Sequence, residues 1–239
     1  MVAPAVTAVG ALVGAAAAAQ IVPAGTWLPG LRTALTPALC GPMPAGRVAV
    51  TFDDGPHPEG TIAVLDALDR LGWHATFFVV GSQVRRHPDV VAETLRRGHA
   101  VELHGDDHRY TIARTPWGIA EDLKRGRDTV AEATGRAPVW WRPAYGVMSG
   151  PSYLAARRVG LRPVLWSAWG RDWRAEATPE SVVADIEAGR PAGGTLLLHD
   201  SDEMSDPGSW RTTVAALPLL AERLAEKRLT VARFGGPAT

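Results

Sequence analysis

The stretch RVAVTFDDGP, residues 47–56, decides how this chain is read. Arg47–Phe52 is rich in β-branched and aromatic residues and reads as a buried strand. It ends on two carboxylates, Asp53 and Asp54, followed by Gly55-Pro56. Asp, Gly and Pro all favour turns, so by itself this run fits an ordinary strand-to-loop corner.

The same arrangement recurs downstream. Helical spacing over Thr61–Leu71 follows, then a strand at Ala75–Val80, a helix at Pro88–Arg97 stopped by Gly98, and a strand at Ala100–Leu103. Trp117–Thr134 reads as a helix ending at Gly135, Val139–Trp141 as a strand, Ser152–Val159 as a helix closed by Gly160, and Pro163–Ser167 as a strand. A helix at Pro179–Ala188 capped by Thr178, a strand at Thr195–Leu198, a helix at Trp210–Lys227 and a strand at Leu229–Ala232 complete the series. Alternating strands and helices imply a mostly parallel sheet with helices outside, as a barrel or as an open doubly wound sheet.

Costly polar residues stand just after these strands: Asp53 and Asp54 after the first, His104 and His108 after Ala100–Leu103, and Arg142 after Val139–Trp141. Asp172 comes a few residues after Pro163–Ser167, and His199 and Asp200 follow Thr195–Leu198. In a β/α barrel these strand ends share one face, so the groups are expected to converge. Singly, each has a plain structural explanation. Jointly, one carboxylate and two imidazoles make an Asp-His₂ metal site with open positions, the catalytic type of zinc site. A cation there makes water acidic enough to attack near neutral pH. A second carboxylate can take the proton, and a histidine can give one to a poor leaving group such as an amine.

Bulk properties limit the alternatives. At 239 residues, one large domain is the simplest organisation. Lys plus Arg and Asp plus Glu are balanced at 25 each, which removes a global basic field and excludes charge-driven nucleic-acid binding. The one cysteine, Cys40, excludes an intramolecular disulfide and a CxxC metal knuckle, and no HExxH marks a metallopeptidase. No charged residue precedes Arg32, and Val2–Val22 is mostly Ala, Val, Leu and Gly. That length suits a membrane span or a signal-peptide core, although no basic residue precedes it. Residues 1–40 are therefore expected to be an apolar segment and a Pro-containing linker, and 41–239 a catalytic domain. The expected location is outside the cell or at its surface through membrane attachment, with a cytoplasmic place left open.

These motifs, in order from TFDDGP (51–56) to LLLHD (196–200), resemble the polysaccharide deacetylases with NodB homology, carbohydrate esterase family 4. The resemblance implies an α/β fold, a distorted (β/α) barrel, and a divalent metal, zinc first, with cobalt or another ion as alternatives. It implies Asp53 as catalytic base and Asp54, His104 and His108 as metal ligands. In WRPAYG, Arg142 matches the arginine paired with the base, and the backbone N–H of Tyr145 the donor to the oxyanion. Asp172 and Trp173, in GRDW, match the carboxylate that tunes the catalytic histidine and a pocket-wall aromatic. His199 matches the general acid, and Leu197 the leucine of the acetyl-methyl pocket.

The implied reaction is removal of N-acetyl groups from amino sugars of a polysaccharide, peptidoglycan or chitin-like, giving acetate and a free amine. An O-acetyl esterase or a non-catalytic glycan-binding protein on the same fold are the alternatives. Gly105 stands where the family usually has Ser or Thr, Trp169 where an Asp is common, and Glu102-Leu103 where Gly-Asn is common. Asp106 and Asp107 are expected in solvent. Most of the nine tryptophans are expected in the core, with Trp140, Trp141, Trp169 and Trp173 near motif ends.

Overall fold

The computed structural model of the chain describes residues 14, 15 and 17–235. The expectation of a signal or anchor over Val2–Val22 falls largely on residues outside these. Among the described residues, no helix is long and apolar enough to cross a membrane.

Eight strands form one sheet: β1 (Arg47–Asp53), β2 (Thr76–Val79), β3 (Ala100–Leu103), β4 (Trp140–Trp141), β5 (Arg162–Pro163), β6 (Ala168–Trp169), β7 (Thr195–His199) and β8 (Thr230–Val231). The order is β5-β4-β3-β2-β1-β7-β6, with β8 on the start of β1, and every pairing is parallel. The principal helices are α1 (Pro29–Leu35), α2 (Gly60–Leu71), α3 (Gly81–Arg86), α4 (Pro88–Arg96), α5 (Pro116–Thr134), α6 (Gly150–Arg158), α7 (Pro179–Ala188) and α8 (Ser209–Glu226). The parallel strands curl into a partial barrel with helices around it. Strands β1, β2 and β7 are buried almost throughout, because helices cover one face and the barrel interior the other. Phe52 and Phe77 stack at 5.0 Å on neighbouring strands, and Val64, Leu65 and Leu68 of α2 pack into the same core.

The expected single strand at Pro163–Ser167 is instead two short ones, β5 and β6, at opposite ends of the sheet path. The chain between them spans the open side of the barrel. Its polar backbone is satisfied elsewhere: Leu165 N donates to Leu39 O at 2.7 Å, and Leu165 O accepts from the Arg142 guanidinium at 3.1 Å. At β4, also two residues long, a side chain does the work of a ladder. The buried Glu102 carboxylate accepts from Val139 N at 2.7 Å and Trp140 N at 2.9 Å.

Two further differences bear on the site. Helix α3 was not anticipated, because GSQVRR offers only Val84 as an apolar anchor. The proline-marked stretch before residue 41, read as a linker, is folded onto the barrel. It runs through a 3-10 turn (Val22–Trp27), α1 and a second turn (Pro37–Cys40), and it buries Arg32. Thr178 caps α7 as expected, within a reciprocal pair with Ser181.

Candidate active site

Strands β1, β3, β4, β6 and β7 deliver the chemistry-bearing residues to one end of the barrel. There they surround a cavity of about 320 Å³. Asp53, Asp54, His104, His108, Tyr145, Trp173, Leu197 and His199 line it. Arg142 and Asp172 lie fully buried directly behind, touching Asp53 and His199. A wider groove, about 1250 Å³, lies at the other end of the sheet around Arg47 and Thr230 and contains none of these groups.

The loops that aim these residues are strained. Among the described residues, Asp54, His108, Tyr145 and Arg171 are four of the five non-glycine positions with positive φ. Such backbone persists where surrounding contacts over-determine it, and it gathers at functional sites. At Gly55 a side chain has no room, since a Cβ would overlap the Asp200 carboxylate. That contact explains why the turn after the paired acids needs a glycine.

Asp54 Oδ1 stands 3.3 Å from His104 Nε2 and 3.1 Å from His108 Nε2, and all three side chains are buried. One ligand atom from each lies within 4.8 Å of the others. His104 Nδ1 is 2.9 Å from the Arg142 carbonyl, to which it donates as N–H. That bond fixes the tautomer and turns the lone pair of Nε2 toward Asp54. Asp54 Oδ1 is buried with no hydrogen-bond donor of good geometry, and His108 Nδ1 also lacks a partner. Lone pairs facing one another in a buried site fit a shared cation, and the donor set suits a divalent ion. Burial opposes ionisation of Asp54, but the two imidazoles outweigh it and hold the carboxyl well below its ordinary range. Burial likewise disfavours charged His104, yet Asp53 and Asp54 raise its pKa.

Asp53 faces a different partner. Its Oδ1 accepts from Arg142 Nη1 at 2.6 Å, and the same nitrogen donates to Thr51 Oγ1 at 2.9 Å. The guanidinium also lies over the Phe78 ring at 3.9 Å, so its two terminal nitrogens and its face are held in place.

Across the cavity, His199 Nδ1 meets Asp172 Oδ1 at 2.8 Å. The other Asp172 oxygen accepts from His199 N at 2.7 Å and from Thr213 Oγ1 at 2.6 Å. Burial lowers the imidazole's affinity for a proton, but Asp172 more than reverses this, with help from Asp54 and Asp53. The His199 pKa is raised to about 9. Trp173 stands edge-on to His199 with ring centroids 5.3 Å apart.

Asp106 overturns the expectation of solvent exposure. It is 0% exposed, with Arg85 Nη1 at 2.7 Å on one oxygen and Arg125 Nε on the other. The ion cluster ties the loop carrying His104 and His108 to α3 and α5, and Gly81 lets α3 approach without a clashing side chain. Asp107 stays partly exposed, paired with Arg125 at 3.0 Å.

Further residues had no role assigned from the sequence. Asp200 is buried beneath Gly55 and accepts from Thr61 Oγ1 at 2.5 Å, and burial pushes its pKa up to about 7. Trp27, Tyr110 and Trp166 also line the cavity. Tyr110 stacks on Tyr145 at 3.8 Å.

A buried Asp-His₂ set facing a carboxylate–imidazole pair across a small cavity is the layout of a metal-dependent hydrolase. Comparison with known proteins agrees. The family model for polysaccharide deacetylase matches residues 41–164. The chain is 34% identical over 180 residues to a peptidoglycan-N-acetylglucosamine deacetylase of Bacillus cereus, covering 74% of this chain and 81% of that one. It is 34% identical over 167 residues to a chitooligosaccharide deacetylase of Rhizobium leguminosarum bv. trifolii, covering 70% and 77%. A family 4 carbohydrate esterase from Streptomyces lividans, solved in complex with acetate, superposes with TM-score 0.70 at 28% identity, over 78% of this chain and 92% of that one. The chain belongs to the polysaccharide deacetylase family.

Proposed function

We propose that this protein is a metal-dependent N-deacetylase that releases acetate from N-acetylglucosamine units of a cell-surface polysaccharide, peptidoglycan or chitin-like. The observation that carries this reading is the opposition, in one cavity, of the Asp54–His104–His108 set and the His199 imidazole, whose Nδ1 lies 2.8 Å from the buried Asp172 carboxylate that raises its pKa. An amine leaves poorly without a proton, whereas an alkoxide of an ester needs less help. The protonated histidine therefore favours amide over ester cleavage. The two relatives quoted above are named for peptidoglycan N-acetylglucosamine and for chitooligosaccharide, and N-acetylglucosamine is the unit those substrates share.

A divalent ion on Asp54, His104 and His108, with zinc the first choice and cobalt an alternative, would supply Lewis acidity, acidifying water and polarising the acetamide carbonyl. Asp53, oriented by Arg142, accepts the proton of the attacking water. The Tyr145 N–H donates to the oxygen that becomes negative as the carbonyl carbon turns tetrahedral. His199 then donates its proton to the amine nitrogen as the C–N bond breaks. Asp172 orients the ring through Nδ1, leaving Nε2 as the donating atom. Trp173 and Leu197 wall the space for the acetyl methyl. A place at or outside the cell surface suits both a polymeric substrate and the uncharged N-terminal stretch.

Acetate release from N-acetylglucosamine oligomers and from O-acetylated xylan, by wild type and His199→Ala, tests the proposal. The expected result is activity on the oligomers that falls about 10²–10⁴-fold in the variant. Activity on the ester alone, little changed by the substitution, would assign the site to O-acetyl esters.

A further inference from the structure

The segment that precedes the family-matched residues is part of the cleft. Gln20 Nε2 donates to Ile112 O at 2.7 Å, near the start of the segment and four residues beyond His108. At its other end Leu39 O accepts from Leu165 N at 2.7 Å. Between these ties Trp27 reaches the cavity and lines it. Its ring meets Trp169 edge-on at 5.8 Å, and Trp169 packs in turn on Trp166 at 5.5 Å and on Trp173 at 5.4 Å. Trp173 touches His199, so an aromatic path runs from this strap to the acid–base histidine.

Arg32 holds the strap down. It is 1% exposed, and its Nη1 donates to Thr26 O at 2.9 Å and to Trp27 O at 3.2 Å. Its guanidinium lies 5.2 Å from the Trp166 ring centre. A buried cation spent on two carbonyls and an indole face fixes the backbone on which Trp27 stands. Trp27 itself stays 40% exposed, although an indole gains by burial. Its open surface adjoins the cavity, and a pyranose ring with its axial C–H face is the kind of partner such a surface accepts.

We propose that Trp27 is a sugar-stacking residue for a ring of the glycan next to the one deacetylated, and that Arg32 is its positioning residue. This rests on the deacetylase reading for the glycan's identity, but stacking can be tested apart from turnover. The strap is then a specificity element that the family-matched region alone does not contain.

The experiment is calorimetric titration of the N-acetylglucosamine hexamer into the full chain, as wild type and with Asp53→Asn to stop turnover. In the Asp53→Asn background, Trp27→Ala should raise Kd about tenfold, the loss of roughly one aromatic contact. Trp27→Phe should recover most of that loss, and Arg32→Met should reproduce it. A Kd unchanged by Trp27→Ala would overturn the proposal, and so would a hexamer that binds neither the wild type nor the Asp53→Asn chain. A wild-type chain that binds the hexamer, loses affinity with Trp27→Ala and yet releases no acetate would sink the deacetylase reading and leave the stacking role standing.

Discussion

The two sides of the cavity use the same residue types in opposite ways. On the β1–β3–β4 side, two imidazoles serve a carboxylate: His104 and His108 hold Asp54 well below its ordinary pKa. On the β6–β7 side, a carboxylate serves an imidazole: Asp172 holds His199 up at about 9. Environment separates the roles: a carboxylate kept ionised beside two imidazoles is suited to hold a cation, and an imidazole kept protonated beside a carboxylate is suited to donate a proton. Arg142 sharpens the contrast, because it gives Asp53 a fixed cationic partner only 2.6 Å away while the neighbouring Asp54 faces imidazoles.

Breaking the first side should have the largest effect. Asp54→Ala is expected to abolish divalent-metal binding and acetate release together, measured by metal analysis and by assay of the same preparation. Breaking the second side should spare the metal: His199→Ala should keep full metal content while the rate falls about 10²–10⁴-fold. Substitutions behind the ligands should be milder. Asp106→Asn removes the charge that Arg85 and Arg125 clamp, and it should weaken metal affinity about 10–100-fold in a chelator competition.

The smallest effect at neutral pH belongs to Asp172→Asn. In the wild type, activity should fall as pH rises through about 9, where His199 loses its proton. The variant's upper limb should move toward the ordinary histidine value of about 6.5. Protonation alone then costs about fourfold at pH 7. Stability follows the same sign. The folded value lies above the unfolded one, so the pair stabilises the fold fully below about pH 6.5, and the contribution is lost as pH rises through about 9. A pH–rate profile and thermal melts of both proteins check the two halves of this prediction.

The barrel and most of the converging residues were legible because they follow apolar strands, as Asp53 follows RVAVTF and His199 follows TLLL. Strand ends on one face of a parallel sheet must meet. The stretch from Arg162 to Trp169 was not legible, since its hydrogen bonds go to Leu39 and Arg142 rather than to one neighbouring strand. Asp106 misled because its partners, Arg85 and Arg125, lie 21 and 19 positions away along the chain. The strap misled for a similar reason. Prolines mark it as a linker, and only the packing of Trp27 and Arg32 on the Trp166–Trp169 pair reveals that it belongs to the cleft.

The most direct test of the metal-dependent deacetylase is made on the whole chain, because Trp27, which precedes residue 41, lines the cavity. The protein is stripped of metal, and acetate release from N-acetylglucosamine oligomers is followed before and after adding Zn²⁺ or Co²⁺. The expected result is no release from the stripped enzyme and recovery on adding either ion. Release undiminished by stripping, or none under any metal, would contradict it.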